Sequence, residues 1–110
     1  ILSKRVVVKA AKIMKTHKLK TDPAVFDAMV TGLKTYELRK DDRGYEEGDV
    51  LELAKTQYTG AEMAAGAPLT YTGDELRVNV LHVLRGPVYG LAAGWVILSV
   101  AKDAPPPPAL

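Results

Sequence analysis

The fold of this chain is decided by residues 32–49, GLKTYELRKDDRGYEEGD, which form its densest polar stretch. Strand-like alternation within this stretch separates two faces. One face carries Thr35, Glu37 and Arg39. The other carries Tyr36 and Leu38, and we expect it to face the core. Charged turns follow before the next strand begins.

Upstream of this stretch, the pattern predicts a strand and then a helix. Residues 15–20 alternate and predict a short strand. Asp22 followed by Pro23 is a typical helix start, and Gly32 is a typical helix end. We therefore expect a helix from Pro23 to about Thr31. Its core-facing residues are expected to be Val25, Phe26, Met29 and Val30.

Downstream, three further segments have strand patterns. They are residues 50–54, 75–84 and 95–100. His82 alternates with apolar residues and is predicted to be partly buried, and Trp95 is predicted to lie in the core. Residues 56–73 are predicted to form a long loop.

One helix beside a mostly β chain predicts the fold class. We expect a mainly β domain with one or two helices (α+β), built as a small β-barrel of five to six strands. The main helix would plug one end or side of the barrel. The length of 110 residues fits a single domain.

The charge of the chain is unevenly distributed. The net charge is +2, yet the first 13 residues contain Lys4, Arg5, Lys9 and Lys12 and no acid. Removing those four from the 15 basic residues leaves 11 against 13 acidic residues. A generally basic nucleic-acid binder is therefore excluded, and any attraction to phosphate requires a local patch.

The two ends are expected to lie outside the domain, which we place at residues 14–103. Residues 1–13 form a basic leader, interpreted as non-native or flexible, with Met14 as a natural start. Residues 104–110 are a Pro-rich tail that cannot join a sheet. No apolar stretch approaches the roughly 20 residues that span a bilayer, and cysteine is absent. We expect a cytoplasmic protein without membrane contact, with a monomer favoured.

The polar stretch resembles the signature of ASCH domains in the PUA-like superfamily. In that signature a helix ends in Gly, Lys-Thr follows, Glu-x-Arg lies on a strand, and a turn leads to Gly-Asp. The matching positions are Gly32, Lys34, Thr35, Glu37, Arg39, Gly48 and Asp49. Over residues 14–101 the chain is similar to an uncharacterised ASCH-like family, the 3850 domain of unknown function, which is common in bacteria and their phages.

The resemblance implies a cleft between the first helix and the strands that holds RNA or a nucleotide-like ligand. The implied ligand-binding residues are His17, Lys34, Thr35, Glu37, Arg39 and Lys40. The side-chain chemistry agrees, because Arg39 can pair with a phosphate or a base edge and Lys34 can act as a point charge. Tyr45 is a candidate for stacking on a base.

Two other functions remain open. A metal-independent hydrolase acting on a nucleoside amide or on RNA would use Lys34 as base or nucleophile and Glu37 as general acid or base. An amidohydrolase group related to ASCH domains has Thr where this chain has Glu37, which favours binding over catalysis. The other possibility is a phage-type protein that binds a host factor by surface contact. A concave arrangement of Lys34, Glu37 and Arg39 would favour a ligand.

Neither a metal nor a cofactor is expected. The chain has two histidines, and neither has an acidic residue at metal-ligand spacing. The sequence contains no Gly-rich phosphate-binding loop and no nucleophile elbow.

Overall fold

The computed structural model describes residues 14–102, which form a mainly β domain. A five-stranded mixed sheet curls into a half-barrel and is accompanied by two helices, which confirms the predicted fold class. The strands are β1 (Thr16–Thr21), β2 (Tyr36–Lys40), β3 (Val50–Thr56), β4 (Tyr71–Arg85) and β5 (Trp95–Lys102). The helices are α1 (Pro23–Val30) and α2 (Gly60–Ala64). The predictions for residues 1–13 and 104–110 lie outside the described residues.

The strand order places β1 and β2 at opposite edges of the sheet. The order is β1-β3-β4-β5-β2. β1 pairs with β3 in parallel, and every other pair is antiparallel. Helix α1 follows β1 directly and leads to β2, so it connects the two edges. Because the sheet curls, these edges approach each other across the open side of the half-barrel.

The core lies between α1 and the inner face of the sheet. Phe26 and Met29 of α1 are buried there, as the helical pattern predicted, whereas Val30 at the helix end is 44% exposed. The sheet contributes the fully buried side chains Leu51, Leu53, Val78 and Leu98. Of the interior strands, β3 is buried along most of its length, β5 is buried at alternate residues, and β4 is buried at Val78 and Val80.

The orientation predicted for β2 is wrong. The alternation is present, but Glu37 faces inward at 2% exposure, while Tyr36 and Leu38 are 47% and 51% exposed. A carboxylate is tolerated inside when cations pair with it, and Lys34 and Arg39 both contact Glu37. On this edge strand the polar face that carries Glu37 is therefore buried, and the apolar face that carries Tyr36 and Leu38 is exposed.

A β-bulge explains why the prediction for His82 is also wrong. The β4–β5 register shifts between Val80 and His82, so one extra residue switches the faces of the strand. After the shift His82 lies opposite Ser99 and is exposed, and Val83 takes the inward position opposite Leu98. Trp95, predicted to be in the core, is 37% exposed at the start of β5.

Helix α2 lies in the region predicted to be a loop. It begins after Thr59, whose hydroxyl accepts a hydrogen bond from the Glu62 amide while the Glu62 side chain accepts from the Thr59 amide. This reciprocal capping box stabilises a short helix that buries no side chain. Among residues 14–102, no helix combines the length and apolar character needed to cross a membrane.

The turn before β3 is organised by the buried carboxylate of Asp49. Its oxygens accept hydrogen bonds from the amides of Lys15 at 3.3 Å and Glu46 at 3.0 Å, and one lies 2.8 Å from His17 Nε2. Burial raises the pKa of Asp49, but hydrogen bonds from His17 and the two amides outweigh it and hold the pKa below its ordinary value of 3.8. Asp49 thus ties β1 to the start of β3.

We expect Asp49→Asn to destabilise the fold in a pH-dependent manner. A carboxylate with a depressed folded-state pKa stabilises the protein fully above its unfolded pKa, and this stabilisation is lost as the pH falls through the folded value. The variant should therefore lose about 1.5–3 kcal/mol at pH 7. It should also show a weaker fall in stability below about pH 4 than the wild type.

Urea unfolding at pH 7 and at about pH 3 measures both effects. Asp27→Asn is the matched control, because Asp27 pairs with Lys55 at 2.9 Å but its side chain is 62% exposed. Equal losses in the two variants at pH 7 would show that Asp49 does not organise the turn.

Candidate functional site

The open side of the half-barrel is bridged by side chains instead of backbone pairing. Arg39 Nη2 donates to the carbonyl of Lys20 at 2.9 Å, and Arg43 Nη1 donates to the carbonyl of Lys18 at 3.0 Å. Further along, Lys15 Nζ donates to the carbonyl of Gly44 at 2.8 Å. We call this region, between β1 and residues 36–44, the seam. It links the two edges of the sheet without closing the barrel.

A cleft of about 360 Å³ lies at the α1 end of the seam. One wall comes from the β1–α1 junction and consists of Lys20, Thr21, Asp22 and Val25. The other comes from β2 and the residue two before it and consists of Lys34, Tyr36, Glu37, Leu38 and Arg39. The volume falls in the range of small-molecule sites.

Glu37 forms the polar centre of the cleft. Its Oε1 accepts from Lys34 Nζ at 3.3 Å, and its Oε2 accepts from Arg39 Nε at 3.0 Å. The side chain of Glu37 is 3% exposed, whereas those of Lys34 and Arg39 are 19% and 25% exposed. The carboxylate is thus shielded beneath two cations that keep contact with solvent.

Each cation is fixed by a second acceptor. Lys34 Nζ also donates to the Tyr36 carbonyl and lies 4.4 Å from the centroid of the Tyr36 ring. Arg39 reaches Lys20 on the opposite edge. These contacts restrict the rotamers of two long side chains, so a ligand would meet positive charge that is already positioned.

Of the six residues predicted to bind a ligand, the structure brings three together in the cleft: Lys34, Glu37 and Arg39. Thr35 and Lys40 are exposed and do not line it. His17 is buried against Asp49, with its ring 4.8 Å from that of Tyr45. Its contacts are those of a structural residue at the turn.

Tyr45 is not available for stacking on a base. It is 1% exposed, and burial raises the pKa of its phenol above the ordinary value of 10.0. Arg85 Nη2 donates to its carbonyl at 2.7 Å, which fixes the segment in place.

Sequence reasoning missed the wall formed by the β1–α1 junction. Asp22, a predicted helix start, also lines the cleft, and its Oδ1 accepts a hydrogen bond from the Gly60 amide at 3.0 Å. Lys20 and Val25 join it on the same wall. Lys20 is exposed on β1, and no local pattern in the sequence shows that β1 faces β2.

A second hollow is chemically unlike the cleft. It has a volume of about 240 Å³ and is lined by Glu46, Glu47, Val83 and Arg85. Two carboxylates beside one arginine oppose an anionic ligand. Among the described residues, 14–102, no group of three or more His, Cys, Asp or Glu side chains is placed to hold a metal ion.

The half-barrel and its cleft define a small β-domain with a pre-positioned pair of cations over a buried carboxylate. The chain belongs to the family described as Domain of unknown function (DUF3850), whose model matches residues 16–100. This confirms the resemblance to that family. No curated protein matches the chain. The family description assigns no activity.

We expect Glu37→Gln to destabilise the protein more than loss of an ordinary surface ion pair. The substitution removes the buried charge that Lys34 and Arg39 share, and hydrogen bonds to charged groups are worth about 1.5–3 kcal/mol. Glu75→Gln is the matched control, because Glu75 lies 4.0 Å from Lys18 with side chains 51% and 68% exposed. The control should cost about 0–1 kcal/mol. Urea unfolding measures both, and equal losses would contradict a structural role for the buried charge.

Proposed function

We propose that the protein is a binding module of the ASCH type, within the PUA-like superfamily, that holds RNA or a nucleotide in the cleft. The observation that carries this proposal is the arrangement of Lys34 and Arg39, held by the buried Glu37 on a concave surface. Two cations above one carboxylate give this cluster a charge of +1. That charge suits a phosphate group of a nucleic acid, which carries the opposite sign.

Arg39 retains hydrogen-bonding capacity for a ligand. Its Nε is directed to Glu37 and its Nη2 to the Lys20 carbonyl. A guanidinium has five N–H donors, so Nη1 and the second proton of Nη2 are left for a phosphate or a base edge. Lys34 adds a point charge on the same wall.

The cleft also offers surfaces for a base. Val25, Leu38 and Tyr36 line it and supply apolar contact. Tyr36 is 47% exposed, and an exposed aromatic ring beside cations is a common arrangement for stacking a single-stranded base. Because Tyr36 lies on the exposed face of β2, a base can reach its ring.

The contact between Lys34 and Glu37 is the observation that favours a hydrolase as the second candidate. A proton could pass between these groups across 3.3 Å. However, Lys34 also donates to the Tyr36 carbonyl and Glu37 also accepts from Arg39, so both groups are committed to structural partners. A lysine base would need its lone pair directed into the cleft. This arrangement favours binding over catalysis.

We expect Arg39→Ala to retain the fold and to weaken ligand binding about tenfold to a hundredfold. Loss of a charged hydrogen bond is worth roughly 1.5–3 kcal/mol. Arg39→Lys should restore only part of the affinity, because an ammonium cannot form a two-pronged contact. Fluorescence anisotropy with labelled single-stranded RNA and calorimetry with nucleoside monophosphates measure these affinities.

Arg77→Ala provides the matched control. Arg77 also pairs with a glutamate, Glu52, on a neighbouring strand, but it does not line the cleft. Its substitution should change the affinity less than twofold. If Arg39→Ala and Arg77→Ala bind every tested nucleotide and RNA as the wild type does, the cleft is not the site.

A further inference from the structure

We propose that the seam extends the cleft into a second phosphate subsite, formed by Lys18 and Arg43, and that the ligand is a single-stranded polynucleotide instead of a free nucleotide. This inference rests on the proposed function, because it continues the same site along the open side of the half-barrel. It adds Lys18 and Arg43 to the site and requires a ligand of at least two nucleotides.

Arg43 and Arg39 share one kind of contact. Each donates to a carbonyl of the edge strand β1, at Lys18 and at Lys20 respectively. Two residues of a parallel strand span about 6.6 Å. This spacing is close to the separation of successive phosphates along an extended single strand. The β1 carbonyls that anchor the two guanidinium groups are therefore spaced like neighbouring phosphates.

Exposure increases from the cleft outward along the seam. The side chains of Lys34 and Arg39 are 19% and 25% exposed, whereas those of Arg43 and Lys18 are 43% and 68% exposed. A half-buried inner subsite suits recognition of one nucleotide, and an exposed outer subsite suits a sequence-independent phosphate contact. Because exposure rises away from α1, the subsite that recognises a particular nucleotide is the one at the α1 end of the seam.

The acids near the outer subsite hold its cations only weakly. Lys18 Nζ lies 4.0 Å from Glu75, and Arg43 Nε lies 3.9 Å from Asp42. Exposed pairs at this distance contribute about 0–1 kcal/mol and are screened by salt. A phosphate can therefore replace these partners at little cost. By contrast, Glu37 remains buried beneath the inner cations.

The test compares a decamer with a single nucleotide across four variants. The probes are a fluorescein-labelled uridine decamer, read by anisotropy, and UMP, read by calorimetry. Lys18→Ala and Arg43→Ala should each lower the ratio of decamer to UMP affinity about threefold to tenfold. Each should also reduce the slope of log affinity against log salt by about 0.7. Arg39→Ala should weaken both probes, and Arg77→Ala should change neither.

The outcomes separate the two proposals. If Lys18→Ala and Arg43→Ala leave the ratio unchanged while Arg39→Ala still weakens both probes, the second subsite is refuted and the nucleotide site stands. If Arg39→Ala weakens neither probe, the proposed function itself fails. A deoxyuridine decamer tests whether the phosphates belong to RNA or to DNA. A lowered ratio of decamer to UMP affinity in the Lys18 and Arg43 variants supports the subsite with either polymer. The decamer that the wild type binds more tightly identifies which of the two the protein prefers.

Discussion

Side-chain hydrogen bonds hold the open side of the half-barrel, and the one that bounds the cleft runs from Arg39 on one edge strand to the Lys20 carbonyl on the other. β1 and β2 are edges of the same curled sheet, and their backbones do not pair. A guanidinium spans the gap, and the buried Glu37 holds that guanidinium in place. The gap that remains is the cleft, so the feature that leaves the barrel open also creates the candidate site.

The two buried carboxylates, Asp49 and Glu37, have different roles. Asp49 accepts from two backbone amides and lies against His17, so its hydrogen bonds are directed into the turn before β3. Glu37 accepts from two side chains that remain partly exposed. One carboxylate therefore fixes the chain path, while the other fixes cations that face solvent. The second arrangement is the one suited to a ligand.

The sequence predicted α1 and the presence of all five strands, because Pro23, Gly32 and the alternating segments are local signals. It could not predict which face of β2 is buried. Burial of Glu37 depends on two cations and on the curl of the sheet, and alternation alone does not encode either. Likewise, the bulge after Val80 changes the face of His82 without any mark in the residue pattern. Of the two walls of the cleft, the β2 wall was predicted. The β1 wall was not, because β1 approaches β2 through the strand order of the curled sheet, which no local pattern encodes.

The most direct test of the cleft as the ligand site is a map of chemical shifts. Titration of ¹⁵N-labelled protein with UMP should perturb the Arg39 Nε–H resonance and the amides of residues 20–22 and 34–39, which surround the cleft. The Arg77 Nε–H resonance should remain unchanged. Perturbation confined to residues 46–47 and 83–85, around the second hollow, would contradict the account.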